Sequence, residues 1–203
     1  MRCECFLETV LSRSSVRWFK SDPVPDDVLL KILEAGVRAP NAGNSEQWFF
    51  IVVRDTEVRK KLHNLLLEAH EFYATQALKT PLPPDKVVKW VQRIREGMYL
   101  APTYIAGYID LRKTTHVEGL IETEKVFAVQ SVAAALENML LVAHTFGLGA
   151  VWIGVPLLLK GKFDELLKPP EKCDLQGIIA LGYPAEFPRT RPRKPLSEVV
   201  RFI

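Results

Sequence analysis

The stretch from Glu124 to Phe146, EKVFAVQSVAAALENMLLVAHTF, places Ala, Val, Leu and Met on most faces of a helix. A helix apolar nearly all round cannot lie on a surface with one stripe inward; it needs cover on several sides. This feature predicts a central, buried helix around which the rest of the chain is arranged. Gly147-Leu148-Gly149 follows it as a stop signal.

The flanking segments mix two periodicities. From Asp26 to Ala39, Leu29, Ile32, Leu33, Gly36 and Val37 share one helical stripe, with Pro25 and Asp26 ahead and Pro40 behind as boundaries. Trp48 to Val53, WFFIVV, reads as a buried strand. Thr56 to Ala77 repeats Leu62, Leu65, Leu66, Ala69, Phe72 and Tyr73 at helical spacing, and the prolines of Pro81–Pro84 break it before a helix from Asp85 to Met98. Tyr104 to Asp110, Ala150 to Val155 and Leu175 to Tyr183 read as further strands, with a short helix near Lys162 to Leu167. Helices and strands alternate irregularly and no internal repeat is present. The expected class is α+β, or mixed α/β, in one domain spanning residues 1–203.

Composition narrows the function. A 203-residue chain with 48% hydrophobic and 25% charged residues can bury roughly two thirds of its unfolded surface in one core. A net charge of +3 gives no reason to expect a nucleic-acid or membrane-surface partner. No uninterrupted apolar run reaches the roughly 18 residues of a membrane span. MRCECFLETV lacks the apolar core and cleavage site of a signal peptide, so a cytoplasmic protein is expected. Three cysteines, Cys3, Cys5 and Cys173, suit neither a disulfide framework nor a metal cluster and read as ordinary reduced thiols. His63, His70, His116 and His144 never fall at His-x-x-x-His spacing. His116-Val117-Glu118 lacks the Pro-Cys-x-x-Cys that a zinc deaminase requires.

Familiar nucleotide loops are absent: there is no Gly-x-x-x-x-Gly-Lys-Ser/Thr, and Gly147-x-Gly149 follows a helix rather than a strand. Four other segments carry candidate chemistry. Arg13-Ser14-Ser15-Val16-Arg17 concentrates two guanidinium groups and two hydroxyls; in extended backbone Arg13, Ser15 and Arg17 fall on one face, suited to a phosphate or an electron-rich heterocycle. A solvated basic stretch has the same composition. The turn Asn41-Ala-Gly-Asn-Ser-Glu-Gln47 offers Asn44 and Ser45 as polar contacts and Gly43 for close backbone approach, or is a plain polar turn. Trp152-Ile153-Gly154 ends an apolar strand with a bare backbone amide, or with a bulge. Arg189-Thr-Arg191-Pro-Arg193-Lys194 fits a phosphate clamp, a nucleic-acid patch or a solvated tail.

In this order and spacing, the four segments resemble the nitroreductase family of flavoproteins. RSSVRWF matches the family's opening motif, VPDDVLLKILEAGVRAPNAGNSEQWFFIVV its helix, asparagine-rich turn and strand, NMLLVAHTFGLGAVWIG its central helix and glycine turn, and LGYPAEFPRTRPRKPLSEVV its C-terminal strand and arm. The family's commonest turn is Asn-Ser-Gln-Pro-Trp; this chain has Asn44-Ser45-Glu46-Gln47-Trp48, so the resemblance does not extend to Glu46 and Gln47.

The resemblance implies a three-layer α/β/α sandwich on a mostly antiparallel central sheet, with a C-terminal arm exchanged in a homodimer and FMN at each interface. It implies that Arg13, Ser14, Ser15 and Arg17 hold the phosphate, ribityl chain and pyrimidine edge, and that Pro40, Asn41 and Asn44 come from the other subunit. Ile153 and Gly154 would line the ring face near N5, and Arg191 or Arg193 would close on the phosphate. NAD(P)H would reduce the FMN, and a nitroaromatic, quinone or other electron-poor small molecule would reoxidise it. No side-chain acid, base or nucleophile is required, with Arg17 and Gly154 as flavin-tuning groups. Other reactions of the same scaffold, including dehalogenation, flavin fragmentation and azoline oxidation, and FMN storage without turnover, are open alternatives.

Overall fold

The computed structural model describes residues 2–115, 117–188 and 191–203. Along the chain, α1 (Arg2–Ser12) and α2 (Asp26–Val37) precede β1 (Trp48–Val53) and α3 (Thr56–Phe72). Then come α4 (Pro84–Arg95), β2 (Thr103–Asp110), α5 (Ile121–Thr145), β3 (Gly149–Ile153), α6 (Lys160–Leu167), β4 (Cys173–Gly182) and α7 (Leu196–Val199).

The strands form one sheet in the order β1-β2-β4-β3, every neighbouring pair antiparallel. Side chains on a strand alternate between faces, and β2 makes both faces apolar. Tyr104, Ala106 and Tyr108 enter a cluster with Leu62, Leu66, Ile94 and Phe163 from α3, α4 and α6. Ile105 and Ile109 enter another with Ile32 of α2 and Val132, Leu136 and Met139 of α5. Each fully buried Leu or Ile contributes about 1.5–3 kcal/mol of hydrophobic stabilisation, so neither face is dispensable. The architecture is the expected α+β sandwich, helices above and below an antiparallel sheet.

Helix α5 lies against the sheet through Ala128, Val132, Leu136, Met139 and Ala143, which recur at helical spacing. It is not sheathed all round, as its composition predicts: Val126 and Val129 on its outer side are 54% and 39% exposed. By length and composition it could cross a membrane, but here it is the core helix of the sandwich.

Several boundaries shift for local reasons. The helix predicted to run to Ala77 widens into a π-helical turn from Tyr73 to Ala77. Helix α4 stops at Arg95 rather than Met98, because the chain turns sharply through Gly97 at φ 115° and Tyr99 at φ 72°. Strand β3 ends at Ile153, not Val155, and gives way to a 3-10 turn over Val155–Leu159. Neither α1 nor α7 is expected from the hydrophobic pattern; both are short and expose their apolar side chains, Phe6 at 62% and Leu196 at 74% among them. The motif remnant at His116 lies outside the described residues, as does Arg189.

After α1 the chain runs extended along the free edge of β3. Ser15 bridges Ala150 in parallel, and the Val16 amide donates to the Ala150 carbonyl at 3.1 Å. Val16 is buried, and a Cβ on Gly149 would fall 2.7 Å from its side chain, so glycine is what lets the segment lie this close. The Arg17 carbonyl accepts from Tyr99, the Trp18 carbonyl from Ala185, and the Lys20 amide donates to the Tyr183 carbonyl. With Val16 turned inward, alternation leaves Ser15 and Arg17 on the outer side.

Candidate active site

That outer side opens on a cleft of about 770 Å³, within the range of small-molecule sites. Arg13, Ser14, Ser15 and Arg17 form one wall, and Arg191 and Arg193 from the C-terminal arm form another. Segments at opposite ends of the chain are thus brought together, and both tail arginines named from the sequence line the same space. Among the described residues, four guanidinium groups meet one carboxylate, Glu137 of α5, whose Oε1 lies 3.7 Å from Arg13 Nε. The surplus of fixed, planar donors suits a phosphate or another anion. Arg17 is held in place at one end: its Nη1 donates to the Ser15 carbonyl at 3.0 Å.

Glu137 belongs to none of the four candidate segments, although the sequence carries a signal for it. It is the one acidic or basic residue between Lys125 and His144, in the most apolar part of the helix.

The remaining candidates sit elsewhere. Ile153 is 4% exposed and packs in the core, so only its backbone can reach a ligand. Gly154, next along, is exposed, and a Cβ built there would touch nothing within 4 Å. Pro40, Asn41 and Asn44 lie before β1, at the sheet edge opposite β3. Three interstrand spacings, roughly 14 Å, separate the two edges, and none of these three residues lines the arginine cleft.

The turn before β1 is a compact structure in its own right. Gly43, Asn44 and Glu46 adopt left-handed backbones at φ 60°, 53° and 49°. The Asn41 Oδ1 accepts from the Glu46 amide at 2.9 Å, and the Ser45 hydroxyl donates to the Ala42 carbonyl at 2.7 Å. Gln47, where the resemblance departs, is buried: its Nε2 donates to Glu124 Oε1 at 2.8 Å and to the Lys113 carbonyl at 3.2 Å. Glu124 also accepts from the amide and hydroxyl of Thr115. Gln47 therefore anchors the turn to the start of α5.

A second polar group gathers where β2 ends and β4 begins. Arg112 pairs with Asp110, and its side-chain hydrogen bonds hold the Asp110 carboxyl below the usual range. Burial is the main force pushing the Cys173 thiol up, with Asp110 adding to it, which disfavours the reactive thiolate.

Comparison with known proteins supplies the family. The model of the Nitroreductase family matches residues 10–183. The chain is 30% identical over 196 residues to the NADH dehydrogenase of Thermus thermophilus, covering 94% of this chain and 92% of that protein. It is 26% identical over 204 residues to iodotyrosine deiodinase 1 of Rattus norvegicus, covering 98% of this chain and 70% of the relative. Among solved structures, a chain assigned to the nitroreductases from Desulfovibrio desulfuricans, in complex with FMN, superposes with a TM-score of 0.71 at 26% identity, over 96% of this chain and 94% of that one. By fold, by motif order and by this match over most of its length, the chain belongs to the nitroreductase family.

Proposed function

We propose that the chain is an FMN-dependent oxidoreductase of one domain, residues 1–203, acting as a cytoplasmic homodimer. It takes electrons from NAD(P)H and passes them, in a ping-pong cycle, to electron-poor acceptors such as nitroaromatics or quinones. The observation that carries this reading is the convergence of Arg13, Ser14, Ser15, Arg17, Arg191 and Arg193 on one cleft. The relatives named for NADH oxidation and the FMN complex of a similar fold support it.

The donor set fits FMN. Arg13, Arg191 and Arg193 would supply charge for the phosphate, and Ser14 and Ser15, which line the same cleft, would offer hydroxyls to the ribityl chain. Arg17, held by its bond to the Ser15 carbonyl, would stabilise a negative charge on the pyrimidine edge. Gly154, lacking a side chain, lets a backbone amide approach N5. Bound FMN would supply the two-electron chemistry; the protein supplies position, charge and exclusion of water. Asn44, with Pro40 and Asn41, would complete the site from a second copy, since the sheet separates these residues from the cleft of their own chain. The exposed apolar ends of α1, α5 and the arm, with Phe202 at 94% and Val126 at 54% exposure, are the surfaces such a dimer would cover.

The test is direct. Purified protein is expected to be yellow, to release FMN rather than FAD on denaturation, and to bleach on anaerobic titration with NADPH or NADH. A protein that stays colourless after reconstitution with FMN would overturn the reading. The deiodinase relative favours a second reading, reductive dehalogenation on the same scaffold. Halide release from a halogenated phenol, faster than turnover of a nitroaromatic, is the result that would select it.

A further inference from the structure

Beneath the arginine cradle lies a group of buried side chains that the proposed chemistry does not use. Its centre is Tyr99, 6% exposed, with a left-handed φ of 72°. Such a backbone is costly for a bulky aromatic residue and persists only where the surroundings impose it. The Tyr104 hydroxyl donates to the Tyr99 carbonyl at 2.8 Å and accepts from the Ala101 amide at 3.2 Å. His63 Nε2 donates to the Met98 carbonyl at 3.1 Å, and Arg59 donates to the Ala101 carbonyl at 3.2 Å. The ring of His70 stacks on the ring of Tyr99, centroids 4.8 Å apart. Held this way, the Tyr99 amide donates to the Arg17 carbonyl at 2.7 Å.

We infer that Tyr99 is a positioning residue for Arg17 and that His70 is the neutral support beneath it, so that a proton on His70 displaces the Arg17 peptide and weakens FMN binding in acid. The inference rests on the arginine cleft being the FMN site. His70 Nδ1 donates to the Leu66 carbonyl at 2.8 Å, which leaves Nε2 to take up the proton. The groups that bear on it come from four directions: Arg17 from the N-terminal segment, His63 from its own helix, Tyr99 from the turn, and Trp90 of α4 with its ring 5.9 Å away. The Trp90 indole N–H is buried without a partner among the described residues, so a further donor on His70 deepens a local shortage of acceptors. Burial lowers the His70 pKa below its usual 6.5, opposed by the Leu66 carbonyl and reinforced by Arg17 and His63. With the folded value below the unfolded one, the stabilisation is complete above about pH 6.5 and is lost as pH falls toward the folded value.

The experiment measures flavin affinity of the full-length protein by fluorescence at about pH 8 and about pH 5.5, on either side of the ordinary histidine range. Phosphate monoesters also titrate near pH ~6, so riboflavin is used beside FMN to remove that contribution. Wild type is expected to bind both flavins more weakly at the acid pH, by less than about tenfold, because a His70 whose pKa is held below the ordinary value is only partly protonated there. His70→Phe keeps a ring against Tyr99 and loses the proton site; its riboflavin affinity is expected to be flat between the two pH values. Tyr99→Ala is expected to weaken FMN about tenfold at both, and Tyr99→Phe to restore it. Should Tyr99→Ala not fold, the His70→Phe pH profile decides alone. An acid loss of full size in His70→Phe, or wild-type affinity in a folded Tyr99→Ala, overturns the inference. Arg17→Ala separates the two levels. If it binds FMN as wild type does, the cleft is not the FMN site and both readings fall; if it weakens FMN while Tyr99→Ala does not, only the positioning role falls.

Discussion

The segment Arg13–Arg17 and the turn Asn41–Gln47 are both short, polar and rich in hydrogen-bonding side chains, yet they spend those groups differently. In the first, the backbone does the structural work. Main-chain bonds stitch residues 16–20 to β3, to Tyr99 and to the chain after β4, and Val16 alone turns inward. The arginines and serines are left facing a cleft. In the second, side chains do the structural work: Asn41, Ser45 and Gln47 are committed to Glu46, Ala42 and Glu124. Asn44 makes no side-chain hydrogen bond among the described residues and, with the exposed Glu46 carboxylate, is still available. Residue type alone does not separate a ligand-binding polar stretch from a self-satisfied one; the partner of each group does.

If the two regions complete one site across a dimer, the largest effect should come from removing what joins the copies. Deleting the residues after Lys194 takes away Leu196, Val199, Phe202 and Ile203, all exposed in the isolated chain. Burying each such side chain is worth about 1.5–3 kcal/mol. The truncated protein is expected to sediment as a monomer and to bind FMN at least about a hundredfold more weakly, since a partial loss of this apolar contact already exceeds 3 kcal/mol. A truncated monomer that still holds FMN at wild-type affinity would place the whole site within one chain.

The next test addresses the halves separately. Arg13→Ala removes a charge-assisted contact worth about 1.5–3 kcal/mol, and so should raise the FMN dissociation constant about ten- to a hundredfold. Asn44→Ala, which removes a neutral contact, should cost about tenfold or less. Co-expression sharpens the comparison. A heterodimer of Arg13→Ala with Asn44→Ala has one site damaged on both sides and one site intact if the halves come from different subunits. Titration should then find half the sites at wild-type affinity. If cradle and turn of one chain form one site, no wild-type site remains.

How far this was legible from sequence differs between the same two regions. The cradle was readable because extended backbone imposes alternation, so Arg13, Ser15 and Arg17 must share a face once the segment pairs with β3. The convergence of Arg191 and Arg193 on it was not readable from spacing, since nearly the whole chain intervenes; it rested on resemblance. The sandwich followed from the two periodicities, as WFFIVV and YIAGYID became neighbouring strands within a residue of their expected ends. What composition overstated was α5, whose apolar outer face is bare in the isolated chain. A pattern of apolar residues does not distinguish a face covered by the same chain from one covered by another or left in solvent. Tyr99 was invisible for another reason: its left-handed backbone is imposed by His63, His70 and Tyr104 from distant elements, and no local signal encodes it.

A smaller effect should follow from cutting the turn's anchor. Gln47→Leu leaves Glu124 without the donor at 2.8 Å while keeping a side chain of similar bulk. Removing one partner of a buried hydrogen bond costs about 1–3 kcal/mol, and the loss should appear as a lower denaturation midpoint. FMN affinity should fall less than in Arg13→Ala, because the turn would loosen without losing a direct contact. An equal or larger fall in affinity, at unchanged stability, would move Gln47 from anchor to ligand contact.

The smallest expected effect is that of Asn41→Ala, and it tests the comparison most closely. Family resemblance assigns Asn41 to the flavin, whereas its Oδ1 already accepts from the Glu46 amide across the turn. A side-chain acceptor that closes a turn on a backbone donor contributes about 0.5–1.5 kcal/mol. That bond also holds Glu46 at φ 49°, a left-handed position that an acidic side chain does not favour. Alanine at position 41 should therefore lower stability by about 1 kcal/mol, and the turn should relax toward ordinary backbone angles. A second substitution, Glu46→Gly, removes the cost of that backbone and should recover part of the loss. If Asn41 serves the turn alone, Asn41→Ala with Glu46→Gly should bind FMN almost as wild type does. If its Nδ2 also reaches the ligand of a neighbouring subunit, stability would return with Glu46→Gly while the affinity deficit remained. Thermal melts and FMN titrations on the single and double variants distinguish the two, because only the second outcome separates the readouts.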